Sequence, residues 1–244
     1  MASRTAIGIA LACSLDLASV ALCPSALRAA PGITPNTRQS GEPFGLPALP
    51  LSDGPLTRKW SALIHDLGDE RVQLALCDKD RTSCPSSSAI KFLAIVDRAR
   101  NRDGRARIGE VNRSINLAIR PMSDLAQYGE FDAWKSPLIT FFNGAGDCED
   151  YAVAKYVALR EAGEAASNLR IVIVRDALIE EDHAVTAMRL DGRWLILDNR
   201  RMAIVEDTYA RNYRPVFVFN EAGIWRYEDT STPFAATHAG CSAR

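Results

Sequence analysis

Basic runs, a surplus of charge of either sign, internal repeats and abundant histidine are all missing from this chain, and each absence narrows what it can be. Its 29 Lys and Arg stand against 30 Asp and Glu, a formal net charge of -1. No basic field is present to attract a phosphate backbone, so nucleic acid is not an expected partner. No repeat or low-complexity segment suggests a solenoid or fibre. The apolar stretch from Thr5 to Leu22 is too short, and too broken by Asp16, to make a comfortable membrane span. Zinc is poorly served, because Cys77 and Cys84 lack a second nearby Cys or His pair. Histidine is scarce: only His65, His183 and His238 could supply an imidazole. What is present, 244 residues at 47% hydrophobic and 24% charged, suffices for one domain with a sizeable core and no need of metal or disulfide staples.

One short segment concentrates reactive chemistry. Phe142-Asn143-Gly144-Ala145-Gly146 reads as a turn, and the residues after it as a helix closed by Gly163. Cys148 therefore falls in a first helical turn, where unpaired backbone N–H groups and the positive end of the helix dipole favour a thiolate and could hold an oxyanion. Asp147, Glu149 and Asp150 surround it with like charge and oppose that effect. A hard cation such as Ca²⁺ would offset them, since closely spaced carboxylate oxygens suit it. The alternative is that these acids only complement a helix N-terminus.

A nucleophilic cysteine needs a base. His183 opens a strand-like stretch to Leu190, Asp191-Gly192 is a two-residue hairpin signal, and 193–198 reads as the returning strand. With Asp191 and Gly192 as the loop, Leu190 pairs with Arg193, Ala187 with Ile196 and Val185 with Asp198. His183 and Asp198 then share a face as diagonal neighbours, roughly 7 Å apart at the backbone. Cys148, His183 and Asp198 thus follow the nucleophile, base and orienter logic of a cysteine-protease triad. His65, on a helix, and His238, in a Pro- and Thr-containing tail, have no such partner. Trp134 could line a cleft or donate its indole N–H there, but burial is the commoner role for such a residue.

Together, Gly146-Asp147-Cys148-Glu149-Asp150-Tyr151-Ala152, His183-Ala184-Val185 and Leu197-Asp198-Asn199 resemble the bacterial transglutaminase-like, or LapG-like, cysteine peptidases. Val111-Asn112, Asp124, Tyr128-Gly129, Asp132 and Trp134 through Pro137 look like that family's pre-catalytic segment, so the resemblance covers 55–228. It implies a papain/transglutaminase-like fold, with N-terminal helices and a catalytic helix packed on an antiparallel sheet. It also implies a triad at Cys148, His183 and Asp198, and calcium at Asp147, Glu149 and Asp150. The expected substrate is a large surface adhesin whose cleavage controls biofilm attachment, in the periplasm, under an inner-membrane receptor for cyclic di-GMP. Two other readings of the same residues are amide crosslinking or amidase chemistry by a transglutaminase-type enzyme, and a calcium-dependent binding module with an inactive triad.

Residues 1–30 read as an imperfect secretory signal flawed by Asp16, with an unprocessed anchor or an unexported chain as alternatives. Leu22 before Cys23 makes a poor lipoprotein site. Residues 31–54, rich in Pro, Gly, Ser and Thr, read as a flexible linker or a partly draped arm, 55–230 as the peptidase domain and 231–244 as a tail. Cys77 and Cys84 bracket a polar loop and are close enough for a local disulfide in an oxidising compartment, two reduced thiols being the alternative. Cys241 could be free. Helix-like spacing covers 56–67, 89–101, 108–119 and 147–162, and strand-like pattern covers 169–174, 183–190, 193–198, 216–219 and 224–227. The expected class is α+β.

Overall fold

Residues 41–228 are described by the structure, a computed structural model; the expected signal at 1–30 and tail at 231–244 lie outside the described residues. In chain order the elements are β1 (Ala48–Pro50), α1 (Pro55–Lys79), α2 (Ser87–Arg100), α3 (Gly104–Ala118), β2 (Arg120–Pro121), α4 (Asp124–Tyr128), α5 (Pro137–Asn143), β3 (Ala145–Gly146) and α6 (Cys148–Glu161). Then follow β4 (Leu169–Asp176), β5 (Glu181–Leu190), β6 (Arg193–Leu197), β7 (Val205–Glu206), β8 (Tyr213–Asn220) and β9 (Gly223–Tyr227). The α+β expectation holds.

Local chemistry sets several of these boundaries. Pro55 starts α1 at a position where a missing N–H costs nothing, and Ser86 caps α2 by accepting the Ala89 N–H at 3.1 Å. The pattern reading ended α1 near Leu67, before Gly68. The helix instead runs on to Lys79, because Leu74 and Cys77 reach the core and outweigh the roughly 1 kcal/mol that a mid-helix glycine costs. A Cys77–Cys84 disulfide ties its last turn to the approach to α2. On α3 the stripe Ile108, Val111, Asn112 and Ile115 is buried, as helical periodicity requires. The helix α6 is buried on nearly every side and packs against α2, α3, α5, β4 and β5.

Seven strands form one antiparallel sheet in the order β1-β9-β8-β4-β5-β6-β7. Both faces are covered, so β4 reads as a continuous apolar run: Ile171 and Ile173 join the core under the helices, and Val172 and Val174 join a second cluster on the opposite face. The turn at Asp191 (φ 51°) and Gly192 (φ 78°) has positive φ at both central residues, as a tight two-residue hairpin demands. It sets the expected register, Leu190 opposite Arg193 and Ala187 opposite Ile196, but the ladder ends at Thr186 and Leu197. Asp198 lies just beyond the sheet.

Within the stretch expected as linker or arm, residues 41–50 are docked, which corrects the flexible-linker alternative for that part. Ala48 pairs with Tyr227 and Pro50 with Trp225, Arg170 grips Glu42 through two nitrogens at 2.6 and 2.9 Å, and Tyr227 Oη donates to Pro43 O at 2.9 Å. Phe44 and Leu46 pack on the second cluster, which these residues help to cover. A chain beginning at Leu51 is therefore expected to be less stable than one beginning at Gly41 by roughly 2–4 kcal/mol, from exposed apolar surface and lost hydrogen bonds. Urea unfolding of the two chains measures it, and equal midpoints would show the arm to be energetically idle.

Candidate active site

Placement of Cys148 begins with a glycine. A Cβ on Gly146 would sit 2.6 Å from Asp150 Oδ2 and 2.8 Å from Asp150 Cβ, so only glycine fits the chain where it enters α6. The short parallel pair β2 and β3 holds this entry, with Arg120 N donating to Gly144 O and Met122 N to Gly146 O, both at 3.0 Å. Asp147 is the N-cap, Cys148 the first helical residue, and Asp150 reaches back to the Asp147 N–H at 3.4 Å in a loose capping box.

Among the described residues, the sulfur of Cys148 meets Glu149 and Ala184. Its Sγ lies 3.1 Å from Glu149 Oε2, and it accepts the Ala184 backbone N–H at 3.1 Å. Ala184 lies past the last β5–β6 pair and is the residue after His183, so the helix start abuts the strand that carries the imidazole. His183 is buried, and its Nε2 is 2.9 Å from Asp198 Oδ1, as the shared-face argument required. Its Nδ1 is buried and has no hydrogen-bond partner among the described residues.

Asp198 is saturated with donors. Oδ1 also accepts the Arg200 N–H at 2.9 Å, Oδ2 accepts the Tyr213 hydroxyl at 2.6 Å, and Arg201 Nε stands 3.8 Å from Oδ2. Burial pushes its pKa up, but bonds from His183, Tyr213 and Arg200 prevail and hold it below the usual carboxylate range. Burial lowers the His183 pKa, and Asp198 opposes that shift. Lys155, two helical turns past Cys148, is buried too, and loss of solvent brings its pKa down to about 7 against the pull of Asp198.

The acidic residues sort themselves differently from the sequence expectation. Asp147 and Glu149 are joined by Asp124 of α4, one oxygen of each lying within 4.8 Å of the others, all three residues buried. Asp124 Oδ1, Asp147 Oδ1 and Glu149 Oε1 have no hydrogen-bond partner among the described residues. Asp150 is engaged elsewhere: Oδ1 accepts the Lys135 N–H at 2.9 Å and Oδ2 faces the Asp147 N–H. Burial, reinforced by neighbouring carboxylates, raises Asp147 to about 7 and lifts Glu149 and Asp150 well above the ordinary range. Oxygens 2.3–2.6 Å from one calcium ion lie at most roughly 5 Å apart, so three buried carboxylates that each bring one oxygen within 4.8 Å of the others fit a hard cation, and their all-oxygen chemistry suits calcium. Trp134 is buried; it packs on Trp60 and Phe219 and donates its indole N–H to Asp132 at 2.7 Å.

A profile of the bacterial transglutaminase-like cysteine proteinases (BTLCP) matches residues 72–224, more than half of the chain. The chain belongs to this family. It is a cysteine peptidase, and its substrates are accordingly proteins. Among solved structures it is similar to Legionella pneumophila LapG, at 25% identity and a TM-score of 0.54, over 65% of this chain and 90% of that one. The calcium-bound form of that protein aligns at 24% identity with TM-score 0.54, over 66% and 93% of the two chains. An EGTA-treated form aligns at 25% with TM-score 0.54, over 65% and 88%. No curated protein sequence matches the chain. No described helix is long and apolar enough to cross a membrane.

Gly146→Ala is expected to force Asp150 or the loop aside and to destabilise by about 1–3 kcal/mol. Gly109→Ala, with nothing within 4 Å of its Cβ in the middle of α3, is expected to stabilise by roughly 0.4–1 kcal/mol. Denaturant midpoints of the two variants check the contrast.

Proposed function

We propose that the chain is a periplasmic, calcium-dependent cysteine endopeptidase with Cys148 as nucleophile, His183 as base and Asp198 as orienter, acting on a large surface adhesin. The observation that carries the reading is the His183 Nε2 to Asp198 Oδ1 hydrogen bond of 2.9 Å, on the residue whose neighbour's N–H touches Cys148 Sγ. With Nε2 committed to Asp198, Nδ1 is the nitrogen left to move a proton.

In the acylation step His183 takes the proton of the reduced Cys148 thiol, and the thiolate attacks the scissile carbonyl. A C–S bond forms, the C–N bond breaks, and the imidazolium returns its proton to the departing amine. Water, deprotonated by His183, then attacks the thioester; a C–O bond forms, the C–S bond breaks to release the new carboxyl terminus, and the imidazolium returns the proton to the sulfur. The backbone N–H groups at the start of α6 stabilise the oxyanion. Asp124, Asp147 and Glu149 would hold calcium, which when bound neutralises carboxylate charge one residue to either side of the nucleophile. The adhesin, the biofilm role and a cyclic di-GMP receptor as partner rest on family resemblance; that the LapG form aligning with this chain binds calcium supports the metal.

The reading is tested by incubating the reduced chain 31–244 with N-terminal adhesin fragments from its host, in calcium and in EGTA. Cleavage in calcium is expected, with a loss of at least about a thousandfold in Cys148→Ala. Incorporation of a labelled primary amine without new N-termini would replace proteolysis by crosslinking. A second expectation concerns the metal: calcium raises the unfolding midpoint, Asp124→Asn removes most of that gain, and Asp150→Asn retains it. Calorimetric titration with Ca²⁺ alone checks the same ranking, and an unchanged affinity in Asp124→Asn would remove Asp124 from the site.

A further inference from the structure

Asp198 stands beyond the last pair of the β5–β6 ladder, so the sheet does not hold its backbone. Other groups do. Asn116 Nδ2, from α3, donates to Asp198 O at 2.9 Å, and the carboxylate is pinned at both ends, Oδ1 by His183 and the Arg200 N–H and Oδ2 by Tyr213. Tyr213 is 6% exposed and touches both members of the pair, its hydroxyl on Asp198 and its ring 5.7 Å from the His183 ring.

Its arrival there depends on an irregularity in β8. The register against β4 shifts between Ile173 and Val174, so that Phe217 faces Ile173 but Pro215 faces Val174, leaving Val216 as the extra residue. Side chains alternate along a strand, and the extra residue reverses the alternation. Phe217 and Phe219 consequently join the core beneath the helices, whereas Tyr213 joins the second cluster. By the same alternation His183 shares its face with Val185 and Ala187, and Asp198 with Ile196 and Trp194, all four of these neighbours lying in that second cluster. Without the bulge Tyr213 would point to the other side of the sheet.

We propose that Tyr213 is a positioning residue which, by donating to Asp198 Oδ2, keeps Oδ1 on His183 Nε2 and so leaves Nδ1 free to accept the proton. This rests on the assignment of His183 as base and Asp198 as its orienter. If the hydroxyl is removed, the nearest remaining cation to Oδ2 is Arg201, 3.8 Å away, and the carboxylate gains freedom to turn from the imidazole. The proton of neutral His183 is then shared between the two nitrogens.

The chain has three histidines, so long-range ¹H–¹⁵N spectra of the labelled protein can resolve each imidazole. Neutral His183 is expected to carry its proton on Nε2 in the wild type and on a mixture of Nε2 and Nδ1 in Tyr213→Phe. Against an adhesin fragment that the wild type cleaves, Tyr213→Phe is expected to lower kcat roughly tenfold or more, the scale of one hydrogen bond to a charged group, with KM changed by less than about twofold. In an Asp198→Asn background the same substitution should cost less than about twofold, because the two residues act as a unit. An Nδ1–H tautomer in the wild type, an unchanged tautomer and kcat in Tyr213→Phe, or a full tenfold cost in the Asp198→Asn background would each overturn the proposal. If Tyr213→Phe does not fold, 3-fluorotyrosine at this position strengthens the donor and is expected to shift the His183 Nε2 resonance, an unmoved resonance again overturning it. Because the tautomer is read without substrate, absence of cleavage would count against the proposed peptidase reading and not against this one.

Discussion

The turn at Asp191-Gly192 governs where His183 points. With two residues in the loop, both at positive φ, Leu190 must face Arg193, and every later pair follows from that. A slip of one residue would move each side chain of β6 to the other face of the sheet, sending Asp198 away from His183 and Ile196 into the wrong cluster. The His183–Asp198 contact and core packing therefore depend on one register. The buried Val185, Ala187, Trp194 and Ile196 supply the apolar burial that keeps a polar pair aligned.

The carboxylates at the start of α6 set a second, electrostatic constraint. Asp124, Asp147 and Glu149 are buried together, with three of their oxygens lacking a hydrogen-bond partner among the described residues, and burial raises the Asp147 pKa to about 7. That value is above the ordinary one, so its stabilising contribution is complete below about pH 4 and is lost as pH rises through 7. A bound cation inverts this, since it binds the ionised form and displaces the proton, which couples metal affinity to pH. The structural cost of the acidic cluster and its proposed use therefore have a single origin, close packing of carboxylates where water is excluded.

Much of this was legible in the sequence, for identifiable reasons. Periodicity and hairpin signals are local, so α2, α3, α6 and the strands β4 to β6, β8 and β9 were readable, and the His183–Asp198 contact followed from the spacing of two strands about a known turn. Tertiary contacts were not readable in the same way. The extension of α1 past Gly68 is a packing effect at Leu74 and Cys77. Asp150 carries the same charge as its neighbours, and only the loop at Lys135 reveals that its oxygens are engaged by backbone. Asp124 stood in the pre-catalytic segment of the resemblance, but nothing local connects it to Asp147 across the intervening α5. Tyr213 gave no signal, because its orientation depends on a bulge that periodicity cannot foresee.

The parts of the site converge where β6 stops. If the ladder continued one residue further, Val185 would pair with Asp198 and the sheet would dictate the position of that carboxylate. The Ala184 N–H, which now donates to Cys148 Sγ, would face a continuing strand at an edge that the helix start now occupies. Ending the strand at Leu197 frees that edge for the sulfur and hands Asp198 to donors from elsewhere: Asn116 on α3, Arg200 in the following loop and Tyr213 on β8. Each of these approaches from a different element, so the carboxylate is fixed by the packing of the whole domain and not by one ladder. A carboxylate held in this way needs no strand of its own, and the early end of β6 is the structural condition for bringing the proposed nucleophile, base and orienter together.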